Sequence, residues 1–211
     1  MKAQTALLTV LLAMPALVAC SSVGYRDASE EETINVDWGS TDLQTFAKGM
    51  VESLHASPNL SYLDHLGKGD DKRIVLAMGT FQNMTDEHID LGGLRDKMKP
   101  PILERGRFRI VATGMGQDEL AAQVRFQQGS GRVDPAQAKA FGKQVGADVV
   151  MFGSLRDITK KTSRSLESGG TKLKDVYYQL VLEAVNVETG ELIWANEEEI
   201  RKRHVIGFFG R

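Results

Sequence analysis

Hydrophobic residues recur with a helical period in several segments of the chain. In residues 42–55, the apolar side chains are spaced so that they would share one face of a helix, and residues 40–42 supply candidate N-caps. Pro100 and Pro101 predict that a second helix breaks or restarts near Lys99. The helices predicted from this period cover residues 42–55, 90–104, 117–128 and 134–145.

Shorter apolar runs predict five β-strands. The strands cover residues 73–78, 107–112, 148–154, 177–187 and 191–196. The first run, ended by Gly79, is typical of a strand buried on both faces. Glu188, Thr189 and Gly190 join the last two strands as a hairpin, because glycine readily takes the positive φ of a short loop.

The order of these elements predicts the fold class. It reads α-β-α-β-α-α-β-β-β, with helices between the early strands and a hairpin at the C-terminus. This order is typical of an α/β domain with a mixed sheet in two or three layers. A chain of 211 residues with 42% apolar side chains is sufficient for one such domain.

The first residues are typical of a secretion signal. Residues 6–18 are almost wholly apolar, and as a helix these 13 residues would span only ~20 Å, less than the ~30 Å hydrocarbon core of a membrane. Residues 17–20 read Leu-Val-Ala-Cys, which resembles the lipobox of bacterial lipoproteins. The resemblance implies cleavage after residue 19, with diacylglycerol and an N-acyl chain on Cys20. The alternative is an ordinary signal peptide with a chance cysteine near its end.

The segment after the signal predicts the domain boundary. Residues 20–36 are expected to form the lipidated cysteine and a short flexible tether, because they are polar and acidic without a helical or strand period. Residues 37–211 are then a single globular domain. Ser21 and Ser22 resemble sorting signals for the outer membrane, since neither is the aspartate that favours inner-membrane retention.

Charge and reactive side chains exclude several functions. A net charge of −2 and a pI near 6.1 argue against nucleic acid as a partner. His55, His65, His88 and His204 are scattered, and the sequence contains neither a zinc-binding histidine pair nor a Gly-x-Ser-x-Gly nucleophile motif. Residues 114–119 are expected to form a strand-to-helix turn, with a nucleotide site as the weaker alternative. The sequence therefore predicts no enzyme, no metal and no cofactor apart from the lipid.

Two surface features remain as candidates. The loop after the first strand carries Phe81, Asn83 and Thr85, which we predict to bind a partner, against the alternative of a plain connection. Residues 197–211 form an apolar-ended tail that either packs back as a strand or contacts a partner or a membrane surface. Residues 160–174 are expected to be a polar loop.

Several motifs together resemble one protein family. They are Val75-Leu76-Ala77 followed by Asn83 and Thr85, Gly106-Arg107-Phe108, Gly146-Ala147-Asp148-Val149-Val150, and Thr189-Gly190-Glu191-Leu192-Ile193-Trp194. The chain is similar to LpoB-type outer-membrane lipoproteins, relatives of the fold shared by CsgG and the N-terminal domain of TolB. Enterobacterial members have a long Pro-rich linker, whereas the tether here is short and has no proline.

The resemblance implies a non-enzymatic regulator on the periplasmic side of the outer membrane. Such a lipoprotein binds and stimulates a bifunctional penicillin-binding protein, and thereby regulates peptidoglycan synthesis and cell shape. An activator of this kind is expected to be a monomer. The alternative is a CsgG-like or other envelope-assembly lipoprotein with a different protein partner, which as a ring former would be multimeric.

Overall fold

The structure is a computed structural model that describes residues 24–32, 35–63, 69–134, 136–137, 146–163 and 170–207. The chain forms two compact units, Met1–Glu30 and Glu31–Arg211. In the first unit, Arg26 forms an ion pair with Glu30 at 2.5 Å. All helices and strands below belong to the second unit.

Three α-helices, one 3₁₀ turn and five strands make up the described part of the second unit. They are α1 (Ser40–Ala56), the 3₁₀ turn (Asn59–Tyr62), β1 (Ile74–Asn83), α2 (Leu91–Glu104), β2 (Phe108–Val111), α3 (Met115–Gly129), β3 (Val149–Thr162), β4 (Lys172–Asn186) and β5 (Leu192–Ile206). The strands form one mixed sheet in the order β2-β1-β3-β4-β5. The predicted α/β class is confirmed. The helix predicted over residues 134–145 lies almost entirely outside the described residues.

The direction of each strand follows from the connection before it. β1 runs parallel to β2 and β3, which are reached through helical crossovers. β3, β4 and β5 run antiparallel, and a tight turn joins β4 to β5. Gly190 has φ of 73° in this turn and its N–H bonds to the carbonyl of Asn186 at 2.9 Å, so the predicted hairpin is confirmed.

The hydrophobic core lies between one face of the sheet and the pair α1 and α2. The core side chains from these elements are almost completely buried; they include Phe46, Met50, Leu54, Leu94, Met98, Leu76, Met151, Leu180 and Leu182. Each such side chain stabilises the fold by about 1.5–3 kcal/mol relative to exposure to water. On the opposite face of the sheet, Gln117 and Leu120 of α3 border Val75 and Val111.

One predicted helix break and one predicted strand end are wrong. α2 continues through Pro100 and Pro101 to Glu104, although two N–H donors are missing there. Its apolar face, including Met98 and Ile102, is fully buried on both sides of the prolines, and this packing stabilises the continuous helix. β1 also continues beyond Gly79 to Asn83, with an irregular register between Met78 and Phe81.

The C-terminal hairpin is much longer than the sequence pattern indicates. β3 and β4 extend through Thr162 and from Lys172, so the polar connection between them is shorter than residues 160–174. The tail packs back as a strand, as one of the two interpretations expected, because β5 continues to Ile206. Phe208 and Phe209 lie outside the described residues.

Candidate interaction surface

Phe81 lies on the face of the sheet that α1 and α2 cover. Its side chain is 9% exposed and belongs to the hydrophobic core. In the strand register, Phe81 is opposite Gly153 of β3. The structure therefore places this predicted partner-binding residue beneath the surface, where it anchors the end of β1.

Asn83 ends β1, and Thr85 lies in the loop of residues 84–90 that joins β1 to α2. Hydrogen bonds from these two residues hold the loop closed. The Asn83 Nδ2 donates to the carbonyl oxygen of Glu87 at 2.7 Å and to that of Ile89 at 3.3 Å. The Asn83 Oδ1 accepts from the backbone N–H of Thr85 at 3.0 Å and from its hydroxyl at 2.7 Å. These two side chains thus fix the conformation of the loop by hydrogen bonding to its backbone groups. Met84, between them, is 54% exposed.

Glu87 connects this loop to the core. Its carboxylate accepts from the Tyr178 hydroxyl at 2.7 Å and from the backbone N–H of Trp38 at 2.9 Å. Tyr178 is completely buried, and burial together with the neighbouring Glu87 raises the pKa of its hydroxyl well above the usual range. The Trp38 ring lies edge-on to Tyr178 and stacks on Phe46, with centroids 5.6 and 5.4 Å apart. The loop is therefore fixed to β4 and to the start of α1.

A buried ion pair joins the same start of α1 to β5. Asp42 is 1% exposed, and its Oδ2 accepts from the Lys202 ammonium at 2.5 Å and from the backbone N–H of Gly39 at 2.8 Å. The Lys202 ammonium also donates to the carbonyl oxygen of Asp37 at 2.7 Å. Asp42 thus acts at the third position of α1 rather than as its N-cap, which is Gly39.

We call the face of the sheet opposite α1 and α2 the uncovered face, because, in the described part of the chain, α3 lies over only its β1 and β2 end. Next to the loop, this face contains a groove of about 690 Å³, which we call the β3 groove. Its lining residues come from β1, β3, β4 and the loop; they are Gly79, Thr80, Gln82, Met84, Val150, Phe152, Gly153, Ser154, Arg156, Val181 and Glu183. Phe152 is 37% exposed. An exposed methionine and phenylalanine beside side chains of both charges suit a protein partner better than a small ion.

Sequence reasoning did not single out Phe152. It lies in an apolar run in which neighbouring side chains alternate between the two faces of the sheet. Met151 is completely buried whereas Phe152 is not, because α1 and α2 cover only one face. No sequence signal separates two adjacent apolar residues in such a run.

The described residues offer no metal site. Within them, no group of three or more His, Cys, Asp or Glu side chains could hold a metal ion. His55 packs edge-on against Phe108 with centroids 5.3 Å apart, and burial, aided by the charge of Arg105, lowers the pKa of the His55 imidazole. His88 and His204 are exposed, and His65 lies outside the described residues.

The other candidates from the sequence are the turn at residues 114–119 and the expected signal segment with Cys20. Gly114 has φ of 57° and is the N-cap of α3, so the expected strand-to-helix turn is confirmed. Its carbonyl oxygen accepts from the backbone N–H groups of Gln117 and Asp118 at 2.9 and 3.2 Å. Cys20 and the expected signal segment lie outside the described residues. In the described ranges, no helix has the length and apolar character needed to cross a membrane.

A family model for the peptidoglycan-synthase activator LpoB matches residues 42–200. The chain belongs to the LpoB family. The match begins at Asp42 of the buried ion pair, and it includes the closed loop, the β3 groove and most of β5. No curated protein is similar enough to this chain to count as a match.

Solved structures to which this chain is similar include LpoB. The LpoB C-terminal domain from Escherichia coli is 16% identical, with a TM-score of 0.41 over 76% of this chain and 99% of that chain. The NMR structure of E. coli LpoB is 15% identical, with a TM-score of 0.36 over 97% of this chain and 91% of that one. Lipoprotein GNA1162 from Neisseria meningitidis is 14% identical, with a TM-score of 0.36 over 62% and 83%. The family assignment rests on the match over residues 42–200.

Proposed function

We propose that this chain is an outer-membrane lipoprotein, anchored through Cys20 and facing the periplasm, that binds and stimulates a bifunctional penicillin-binding protein. In this role it regulates peptidoglycan synthesis by contact and catalyses no reaction of its own. The observation that carries the proposal is the match to the peptidoglycan-synthase activator family over residues 42–200.

The anchor is proposed from the sequence of residues 17–20. Acyl chains on Cys20 would each add about 0.8 kcal/mol of membrane binding per buried CH₂ group, so that several chains would hold the protein firmly. The chain contains no other cysteine that could take this modification.

Replacing the anchor residue should remove the protein from the outer membrane. We expect Cys20→Ala to move the chain from the outer-membrane fraction to the periplasmic fraction or to leave it unprocessed, whereas Ser22→Ala, two residues away, should remain in the outer membrane. Fractionation on a sucrose gradient and mass spectrometry of the N-terminal peptide would show this. A Cys20→Ala chain that is processed normally and stays in the outer membrane would contradict the anchor.

The β3 groove is the surface that we propose for the synthase. Phe152 and Met84 provide exposed apolar area, and Arg156 and Glu183 provide charges of both signs beside it. Protein interfaces typically combine apolar anchors with a polar rim. In this proposal Asn83 and Thr85 contribute by holding Met84 at the surface.

Replacing Phe152 by a charged residue should strongly reduce stimulation. We expect Phe152→Glu to reduce stimulation of the cognate synthase about tenfold or more, because the carboxylate would have to be desolvated in the interface. Polymerisation of lipid II by the purified synthase, with and without the full chain in detergent, measures this effect. The chain without synthase should form no polymer.

A matched control is Phe126→Glu. Phe126 is 43% exposed, close to the 37% of Phe152, but it lies on α3 and does not line the β3 groove. We expect this variant to stimulate within about twofold of the original chain. Equal loss in both variants would count against the groove, and no stimulation by the original chain would count against the proposed function.

A further inference from the structure

β5 is an edge strand of the sheet. It has 15 residues and lies at the end of the order β2-β1-β3-β4-β5. Among the described residues, the strand pairing of β5 is with β4 alone. Its other side therefore carries backbone N–H and C=O groups that another strand could pair with.

In β5, positions at equal distances before and after Ile200 carry opposite charges. Residues 197–203 read Glu-Glu-Glu-Ile-Arg-Lys-Arg, with Ile200 at the centre. The side chains at 197, 199, 201 and 203 lie on the uncovered face and are exposed. Glu198, Ile200 and Lys202 face the helices and are partly buried.

We propose that β5 pairs antiparallel with β5 of a second copy of this chain, with Ile200 opposite Ile200. In this register Glu197 lies opposite Arg203, Glu198 opposite Lys202 and Glu199 opposite Arg201. Opposite charges directly across an antiparallel pair stabilise it, and like charges destabilise it. A two-fold axis through Ile200 repeats every pair, as a closed dimer requires.

The same charges disfavour the other registers. A shift of two positions places Glu199 opposite Glu199 or Arg201 opposite Arg201, and a shift of four positions places several like charges opposite one another. Parallel pairing in register places each charged residue beside the same residue of the second chain, so that like charges face one another. Charged edge strands generally prevent association. A shift of one position would also pair opposite charges, but it would turn one copy over relative to the other and has no two-fold axis. Among the two-fold registers of β5, the order of the charges leaves one in which every charged pair attracts.

The four exposed charges keep free surface for this pairing. The Arg203 guanidinium donates to Asp175 at 2.7 and 2.9 Å, yet its side chain remains 61% exposed. Glu199 accepts from the Tyr177 hydroxyl, and the Arg201 guanidinium lies 5.8 Å from the Tyr177 ring centroid. These partners belong to β4, on the paired side of β5. Lys202 is engaged with Asp42, so the exposed positions contribute most.

The proposed dimer differs from the monomer that the sequence analysis expects. It does not depend on the proposed function, because β5 and the β3 groove are formed by different strands. Stimulation of a synthase could be present without the dimer, and the dimer without stimulation.

A cysteine at the two-fold axis tests the register in the full chain. Directly opposed residues of antiparallel strands have Cα atoms about 4.5–5.5 Å apart, within the range that a disulfide spans. We expect Ile200→Cys in isolated membranes to form a disulfide-linked dimer on mild oxidation. Ala195→Cys is the matched control, because position 195 lies opposite Val205 and should cross-link about tenfold less. The original chain, with Cys20 alone, reports background.

Charge reversal tests the pairing itself. In the Ile200→Cys background, Glu197→Lys with Glu199→Lys makes all four exposed positions basic, and Arg201→Glu with Arg203→Glu makes them acidic. We expect each variant alone to lose cross-linking about fivefold or more, since like charges then face one another. The two variants produced together, with different tags, should cross-link as a mixed dimer. This rescue could not occur if either variant were unfolded.

Sedimentation velocity of the detergent-solubilised full chain, without an added cysteine, provides a second measurement. The dimer fraction should fall between about 0.05 and 0.5 M salt, because salt screens exposed charges. The proposal is overturned if positions 195 and 200 cross-link equally, if the mixed variants show no rescue, or if the solubilised chain is monomeric at every concentration and salt tested.

Discussion

Asp42→Ala should lower the free energy of unfolding by about 4 kcal/mol, since removing one partner of a buried ion pair leaves the other charge buried and unpaired. Asp42 is 1% exposed, and the side chain of Lys202 is 18% exposed. The same substitution removes the acceptor for the Gly39 N–H at the start of α1. Urea unfolding followed through the fluorescence of Trp38, which stacks on Phe46, and of Trp194 would measure the change.

Asp96→Ala is the matched control for this prediction. Asp96 also forms an ion pair with a lysine, Lys99, at 2.7 Å, but its side chain is 65% exposed. We expect a loss below about 1 kcal/mol, because exposed ion pairs contribute little. In the double variant Asp42→Ala with Lys202→Met, part of the lost stability should return, since no unpaired charge remains. Equal losses for Asp42→Ala and Asp96→Ala would show that the buried pair is unimportant.

Gly153→Ala should lower the free energy of unfolding by about 3 kcal/mol or more, or prevent folding altogether. A Cβ atom at this position would overlap the carbonyl oxygen of Val181 and lie 2.9 Å from the Cα of Leu182. Both are backbone atoms of β4, so relief requires that strand to move. Because β4 lies between β3 and β5, the movement would disturb the core side of the sheet.

Gly129→Ala is the corresponding control. Gly129 ends α3, and no heavy atom outside its immediate neighbours lies within 4 Å of the added Cβ. Alanine is favoured over glycine in helices by up to about 1 kcal/mol, so this variant should be as stable as the original chain or slightly more stable. Thermal and urea unfolding of both variants would measure the difference. A Gly153→Ala chain within about 0.5 kcal/mol of the original would contradict the close packing of β3 and β4.

The elements that were predicted well are those whose signals are local. The spacing of Phe46, Met50 and Leu54 determines the buried face of α1, and Gly190 determines the hairpin turn. The continuity of α2 and the end of β5 were not predictable in the same way. α2 continues through two prolines because its buried face packs against α1. β5 continues through the charged stretch of residues 197–203 because each residue of that stretch pairs with β4.

The candidate surface likewise combines features that the sequence predicts with features that depend on tertiary packing. Sequence reasoning placed Phe81, Asn83 and Thr85 together at the end of a strand, and the structure gives them separate places, one in the core and two within the loop. Phe152 was not predicted, because its exposure depends on which face of the sheet the helices cover. The β3 groove combines residues from β1, β3 and β4, which are distant along the chain.

The amino-acid sequence alone was enough for the α/β class, for the family resemblance and for the hypothesis of a lipid anchor at Cys20, because these depend on local periods and short motifs. The tertiary structure decided which residues are buried: Asp42 and Lys202, 160 positions apart, form an ion pair only when β5 returns to the start of α1. It also decided that β5 is an edge strand of the described sheet and that the charges at positions 197, 199, 201 and 203 are exposed. Burial and edges depend on contacts between distant segments, which no local pattern specifies.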